Sequence, residues 1–279
     1  MKERVSLSLD PKIVKDVDSL IDGINIRSRS DAIEKILKER IVERKTVVIL
    51  AGGNPEKLLI KEIDTYRPLV SVGDKKLIED IILKCRSVGF VNVIIVGFSS
   101  LLSKLYEVLG NGEKYGVKII YVEEEKELGS AKTLELAKKY IQTDFLFLPC
   151  DQYFDFDLKK IHDFHLMNGG IATVGIHTRT SFDWEKGVVE MDGYKIINFE
   201  ENPKKPKTRL SSVFIGVLKK DVFNYIPVGD VYWSLQENVF PKLATEGNFV
   251  GYPIAGNWVN VHTRKDVEKV IKIRNFKTK

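Results

Sequence analysis

The apolar positions of this 279-residue chain follow two rhythms, one before about Arg44 and another after it. Over the first ten residues they alternate: Val5, Leu7 and Leu9 fall on one side of an extended segment and Lys2, Arg4, Ser6 and Ser8 on the other, which predicts a short strand. Asp10 then stands as an N-cap before Pro11, Ile13, Val17, Leu20 and Ile21 recur at helical spacing, and Gly23 supplies a stop. A second amphipathic helix opens at Ser28, with Asp31 three residues on as in a capping box, and carries Ile33, Ile36, Leu37 and Ile41 on one face. From Thr46 the pattern becomes strand, loop, helix, repeated. Apolar runs at Val47 to Leu50, Val93 to Val96, Lys118 to Val122 and Phe145 to Leu148 read as buried parallel strands, separated by helical stretches such as Leu77 to Val88 and Ala131 to Ile141. Past Gly170, shorter hairpin-like runs follow at Gly187 to Glu190, Lys195 to Glu200 and Val213 to Leu218. The whole predicts an α/β chain in two domains. Residues 1–44 form a small β-α-α domain, and residues 45–279 a doubly wound, Rossmann-like mixed sheet with ligand loops after Leu50 and Leu148.

A lone strand leaves its backbone groups unpaired, and a segment of some forty residues buries too little to stand alone, so the expected partner is a second copy of the same strand. That predicts a homodimer, with higher assembly left open. The order of strand and two capped helices, with Ser28-Arg29-Ser30 at the turn into the second, resembles the ribbon-helix-helix DNA-binding family over residues 2 to 43. The resemblance implies that Lys2, Arg4, Ser6 and Ser8 reach base edges of a double-stranded operator from the major groove, and that Ser28, Arg29 and Ser30 hold a phosphate.

In the second domain the glycine loop Val48-Ile49-Leu50-Ala51-Gly52-Gly53 follows a buried strand, where the backbone can approach a phosphate or base. It is joined by Arg67-Pro68-Leu69-Val70, Leu128-Gly129-Ser130-Ala131, a strand-terminal Asp151, Gly187-Val188-Val189, Phe199-Glu200-Glu201-Asn202-Pro203 and Gly256-Asn257-Trp258-Val259-Asn260-Val261. In order and spacing these pieces resemble the sugar-phosphate nucleotidyltransferases over residues 46 to about 266. The resemblance implies a nucleotide site at Leu50, Ala51, Gly52, Gly53, Lys57, Arg67, Glu124, Gly129 and Asp151, and a sugar site at Gly187, Glu201 and Asn202. Glu124, where the family often has glutamine, suits a base N–H such as that of uracil or guanine. Asp151 and Asn260 stand where the family's two metal-ligating aspartates stand. The chain also departs from the pattern. Gly-Thr-Arg is replaced by Pro55-Glu56-Lys57, a proline has no N–H to offer a phosphate, and an amide at 260 is a poor substitute for a carboxylate. The Glu-Lys-Pro lysine is Asn202. Since losing one preorganised contact costs on the order of a hundredfold in rate, the expectation is a domain that binds a nucleotide or nucleotide sugar without turnover.

Composition adds bounds. There are 44 basic against 39 acidic residues, a net +5 too small to argue for nucleic acid by itself, and 43% apolar residues, enough for a large core. No long uncharged apolar run and no apolar leader is present, so the reading is no membrane partner and a cytoplasmic location. Cys85 and Cys150 form no pair motif and read as buried thiols. His162 and His165 read as surface residues, and the run Glu123 to Glu127, Glu124 apart, as a solvated loop. The combined expectation is a DNA-binding transcriptional regulator whose degenerate nucleotidyltransferase-like domain senses a nucleotide or nucleotide sugar. No cofactor is required on this reading; Mg2+ would enter only with a bound nucleotide. The alternative is an active sugar-phosphate nucleotidyltransferase with an N-terminal dimerisation or autoregulatory module, and a further alternative is a DNA-binding protein on an unliganded oligomerisation platform.

Overall fold

A computed structural model describes residues 5–42, 45–178 and 187–277, with the side chains of 38–42 and 277 left out. The chain divides into two compact units, Met1–Arg44 and Lys45–Lys279. In the first, helix α1 (Pro11–Ser19) starts where Asp10 accepts the Lys12 amide at 2.7 Å, and α2 (Arg29–Val42) starts where Ser28 Oγ accepts the Asp31 amide at 3.1 Å. Val17, Ile26 and Ala32 are buried between them, with Ile33 and Ile36 alongside.

The element order of this unit corrects the ribbon-helix-helix expectation. Residues 5–10 are not a strand, so the order is helix, helix, then the first strand of the next unit, rather than β-α-α. The alternation of Val5, Leu7 and Leu9 is real, but a strand exists only against a ladder partner, and among the described residues this unit contains no other extended segment to supply one. Ser6 and Ser8 are exposed and belong to no strand, while Lys2 and Arg4 lie outside the described residues. Arg29, expected on a phosphate with Ser28 and Ser30, donates to both carboxylate oxygens of Asp18 at 2.7 Å, and Asp18 is held below its ordinary value by that bond. The basis for an operator-DNA partner falls with the fold.

In the second unit β1 (Lys45–Ala51) leads through a short hairpin, β2 (Leu59–Ile60) and β3 (Thr65–Tyr66), to α3 (Leu77–Ser87). Then follow β4 (Phe90–Gly97), α4 (Ser99–Leu109), β5 (Lys118–Glu123), α5 (Ser130–Glu135), β6 (Phe145–Pro149), β7 (Gln152–Phe154) and α6 (Leu158–Asn168). The remainder comprises β8 (Ala172–Thr178), β9 (Val188–Asp192), β10 (Lys195–Glu200), β11 (Leu210–Leu218), α7 (Phe240–Thr245), β12 (Phe249–Pro253), β13 (Trp258–Asn260) and α8 (Arg264–Lys277). Among the described residues nine strands form one sheet in the order β5-β4-β1-β6-β11-β8-β12-β10-β9, and β7 pairs with β13 beside it. Strands β5, β4, β1 and β6 run parallel, whereas β11 is antiparallel to both β6 and β8. The sheet is therefore mixed.

Two apolar cores cover its two faces. Val47 and Ile49 join one and Val48 and Leu50 the other; Val93 and Ile95 divide in the same way from Ile94 and Val96, and Leu146 and Leu148 from Phe145 and Phe147. With both faces buried, alternation along a strand no longer shows as apolar against polar, and the sequence reads as a continuous apolar run. His162 and His165 are buried rather than on the surface: His165 is fully covered, with Nδ1 2.8 Å from Thr173 Oγ1, and His162 meets the Phe90 ring edge-on.

The antiparallel β11 is seated tightly on β8. A Cβ added at Gly216 would run into the Thr173 carbonyl in mid-sheet, where backbone cannot yield. Gly216→Ala is therefore expected to lose at least about 2 kcal/mol of stability, read as a lower urea midpoint at unchanged slope.

Candidate functional site

Strand order reverses at β1. The chain proceeds from β1 to β4 and β5 on one side, then returns to place β6 on the other, so the carboxyl ends of β1 and β6 flank a crevice of the kind that holds ligands in open α/β sheets. A cavity of about 400 Å³ lies there, bordered by Leu50, Gly52, Gly53, Gly129, Asp151 and Glu201 among others. These sequence-predicted residues are thus brought to one cleft. Ala51 is buried in the core instead, and Gly187, Asn202 and Asn260 do not line the cavity.

The glycine loop is shaped from below by Glu124. Its Oε2 accepts the Gly53 amide at 2.8 Å and its Oε1 accepts the Thr133 hydroxyl at 2.5 Å, while its own amide binds the Gly97 carbonyl. Gly52 has to be glycine because a Cβ there would meet the Glu124 carboxylate and the Thr133 side chain. Burial pushes the Glu124 carboxyl up, partly offset by the bonds from Thr133 and Gly53, and nearby Glu127 adds to the rise.

Pro55 is accommodated without disrupting the loop. It is the first residue of a short 3-10 turn, Pro55–Leu58, capped by Asn54, whose Oδ1 accepts the Glu56 amide at 2.9 Å. At that position the missing N–H would have had no partner within the turn. The turn carries Lys57 Nζ to Glu127 Oε1 at 2.8 Å, so Glu127 is a cleft residue and not merely part of a solvated loop.

Asp151 follows β6, and its Oδ2 takes Arg67 Nη1 at 3.0 Å, with His262 Nε2 at 3.5 Å. Burial raises this carboxyl, but the hydrogen bonds and charges of His262 and Arg67 outweigh it and hold the group below the ordinary carboxylate value. Asp151 therefore stays ionised. Its neighbour Cys150 is a buried thiol pushed well above its usual value by burial first and by the Asp151 charge second, which leaves it inert near neutral pH. Strand β13 brings Asn260 opposite Gln152, and the Val261 amide donates to the Asp151 carbonyl at 2.9 Å.

Sequence reasoning missed His262, Ser130, Thr133, Phe214, Tyr232 and Ser234. Ser130 follows Gly129 directly and Thr133 lies one helical turn on, where a helix-start signal was available; the others are brought in only through tertiary register. Gly129 itself is needed where a Cβ would collide with the Trp233 backbone. Gly187, at φ 63°, gives its carbonyl to the Ser212 amide at 2.8 Å, and Asn202 sits at φ 50° beside Glu201.

The model of the nucleotidyl transferase family matches residues 46–271, and the chain belongs to that family. Among named proteins it is similar to the mannose-1-phosphate guanyltransferase of Saccharomyces cerevisiae, 27% identical over 226 residues, covering 78% of this chain and 62% of the relative. It is also similar to the mannose-1-phosphate guanylyltransferase catalytic subunit beta of Drosophila pseudoobscura pseudoobscura, 26% identical over 223 residues, covering 78% of this chain and 59% of that one. The chain thus spans about three fifths of the length of these relatives. In fold it resembles a crystal structure from Bacillus anthracis, proposed to be a glucose-1-phosphate thymidylyltransferase and bound to sucrose, with a TM-score of 0.73 at 22% identity, covering 82% of this chain and 94% of that one. These likenesses overturn the expectation of a DNA-binding regulator with a dead sensor domain, since the matched relatives carry the names of enzymes and the first unit lacks the β-α-α order. Among the described residues no group of three or more His, Cys, Asp and Glu side chains is gathered for a metal, and no helix is long and apolar enough to cross a membrane.

Thr133→Val tests the geometry around Glu124. Because the folded carboxyl is raised, its ionisation opposes folding, and that part of the stability is lost as pH climbs through the folded value. The Thr133 hydroxyl relieves the ionised form, so its removal is expected to cost about 1.5–3 kcal/mol at pH 7. That cost should shrink as acid protonates Glu124, and paired urea melts at pH 7 and near pH 4 measure the difference.

Proposed function

We propose that the chain transfers a nucleotidyl group from a nucleoside triphosphate to a sugar 1-phosphate with release of pyrophosphate, and that the donor carries guanine. The observation that carries this reading is the ionised Asp151, paired with Arg67, standing across the cleft from the Gly52–Gly53 loop in a member of the nucleotidyl transferase family. The names of the relatives support guanine, and Glu124, buried beneath the glycine loop with Oε2 on the Gly53 amide and Oε1 on the Thr133 hydroxyl, shapes the loop against which a base would lie.

The residues play separable parts. The glycine loop lets phosphate or ribose approach the backbone. Lys57, on Glu127 at the cleft mouth, is an exposed cation that a triphosphate can draw away from its carboxylate, while Arg67 stays on Asp151. Asp151 has Oδ2 committed to Arg67 and His262, so it would meet a metal through a single carboxylate. One carboxylate at the cleft fits Mg2+, which keeps several waters and is held largely by substrate phosphates. Asp151 would hold it, and the ion when bound would supply charge to the phosphates. Residues 1–44 are read as a separate domain appended to this catalytic one.

Two experiments test the reading. Pyrophosphate release is expected from GTP plus mannose 1-phosphate with Mg2+, and Asp151→Ala is expected to reduce kcat/KM by about a hundredfold or more. If no nucleoside triphosphate and sugar 1-phosphate pair yields pyrophosphate, the reading is wrong. A chain starting at Lys45 is expected to keep kcat within about twofold, and a large loss would show that the first domain takes part in the reaction.

A further inference from the structure

We propose that Phe214 determines which sugar the cleft accepts, its ring forming an apolar floor for the C–H face of a pyranose while Glu201 receives hydroxyls. This deepens the transferase reading above and rests on it.

The backbone of Phe214 lies at φ 55°. Two other non-glycine residues among those described share the left-handed region, Asp64 and Asn202, and both are of the types that tolerate it. A bulky aromatic there is an outlier, of the sort that persists where the surrounding structure over-determines it and that clusters at ligand sites. The cause is visible in the register: Ser212 pairs with Ile176 and Gly216 with Val174, so four steps of β11 span two of β8 and the chain bulges. The Phe214 amide, displaced from the ladder, turns to Ser212 Oγ at 3.2 Å.

The bulge aims one ring. Val213 and Ile215 are fully buried on one face of the sheet, whereas Phe214 remains half-buried on the other and borders the cleft with Cys150, Asp151 and Glu201. It leans edge-on against Phe147 at 5.4 Å and Phe240 at 6.0 Å between ring centres. Phe240 also touches Phe199, two residues before Glu201, which ties the carboxylate strand to the aromatic one.

The chemistry of this part of the cleft selects a neutral polyol. Among the described residues its titratable lining, Glu127, Asp151, Glu201 and Glu237, is acidic, while Cys150 and Tyr232 stay neutral near pH 7 and no lysine or arginine borders it, which disfavours a phosphate against the ring. A base is better served at the Gly52–Gly53 loop, whose backbone borders the same cavity with no side chain of its own. A flat apolar face beside a carboxylate matches a pyranose, which presents C–H on one face and hydroxyls at its rim.

The test is calorimetric titration of the full chain with GDP and with GDP-mannose, for the wild type, Phe214→Ala and Phe214→Leu. Leucine keeps much of the apolar volume but has no flat face, and melting curves for both variants establish that they fold. Wild type is expected to bind GDP-mannose more tightly than GDP. Both variants are expected to lose about three- to tenfold in affinity for GDP-mannose while keeping GDP within twofold. Equal losses for both ligands would move the ring to the nucleoside and overturn the proposal, as would unchanged affinity for both. A wild type that binds neither ligand would overturn the guanosine-sugar reading itself, a result distinguishable from failure of Phe214 alone.

Discussion

The structure depends on β1 being buried on both faces and paired in parallel on both edges. Its residues alternate between two apolar cores, so neither face can tolerate a polar side chain, and its neighbours β4 and β6 fix the height at which it ends. That shared ending creates the crevice. Gly97 at the end of β4 has no room for a side chain because the Ala51 backbone passes beside it, and the Cys150 amide reaches back to the Leu50 carbonyl. The groups that face the cleft are therefore placed by a part of the sheet buried on both faces and paired on both edges, even where they stand on loops.

Electrostatics then organise what the strands deliver. The cleft itself is lined by carboxylates, while Lys57 and Arg67 approach it bound to Glu127 and Asp151. The two pairs differ in kind. Lys57 and Glu127 are largely exposed, so their attraction is weak and a multiply charged ligand can compete for the lysine. Arg67 and Asp151 are mostly covered, and the arginine with His262 keeps the carboxylate charged despite burial. Glu124 follows the opposite logic, its ionisation opposed by burial and sustained by two short donors.

How much of this was legible in the sequence differs from element to element for physical reasons. The parallel strands were readable because burial on two faces leaves continuous apolar runs, and Asp10 and Ser28 announced their helices because capping is local chemistry. Val5 to Leu9 had the rhythm of a strand, but pairing is not a property of the segment that carries the rhythm. Glu127 looked like surface charge since its partner lies 70 residues away. His262 and Phe214 gave no signal at all: one reaches Asp151 through the pairing of β13 with β7, and the other is turned toward the cleft by a slip in register that sequence spacing does not encode.

The expectation of a dead domain has a different origin, and it bears on how departures from a motif are weighed. Counting Pro55, Asn202 and Asn260 as separate losses treats each contact as an independent factor on a fixed frame. The frame is not fixed. A proline at the first position of a capped turn breaks no bond within that turn, and the same turn carries a lysine to the cleft mouth. The carboxylate left without its second aspartate is instead flanked by arginine and histidine, which keep it ionised. Groups that act as a unit do not contribute additively, so the product of single losses overstates the damage whenever the remaining residues rearrange around them.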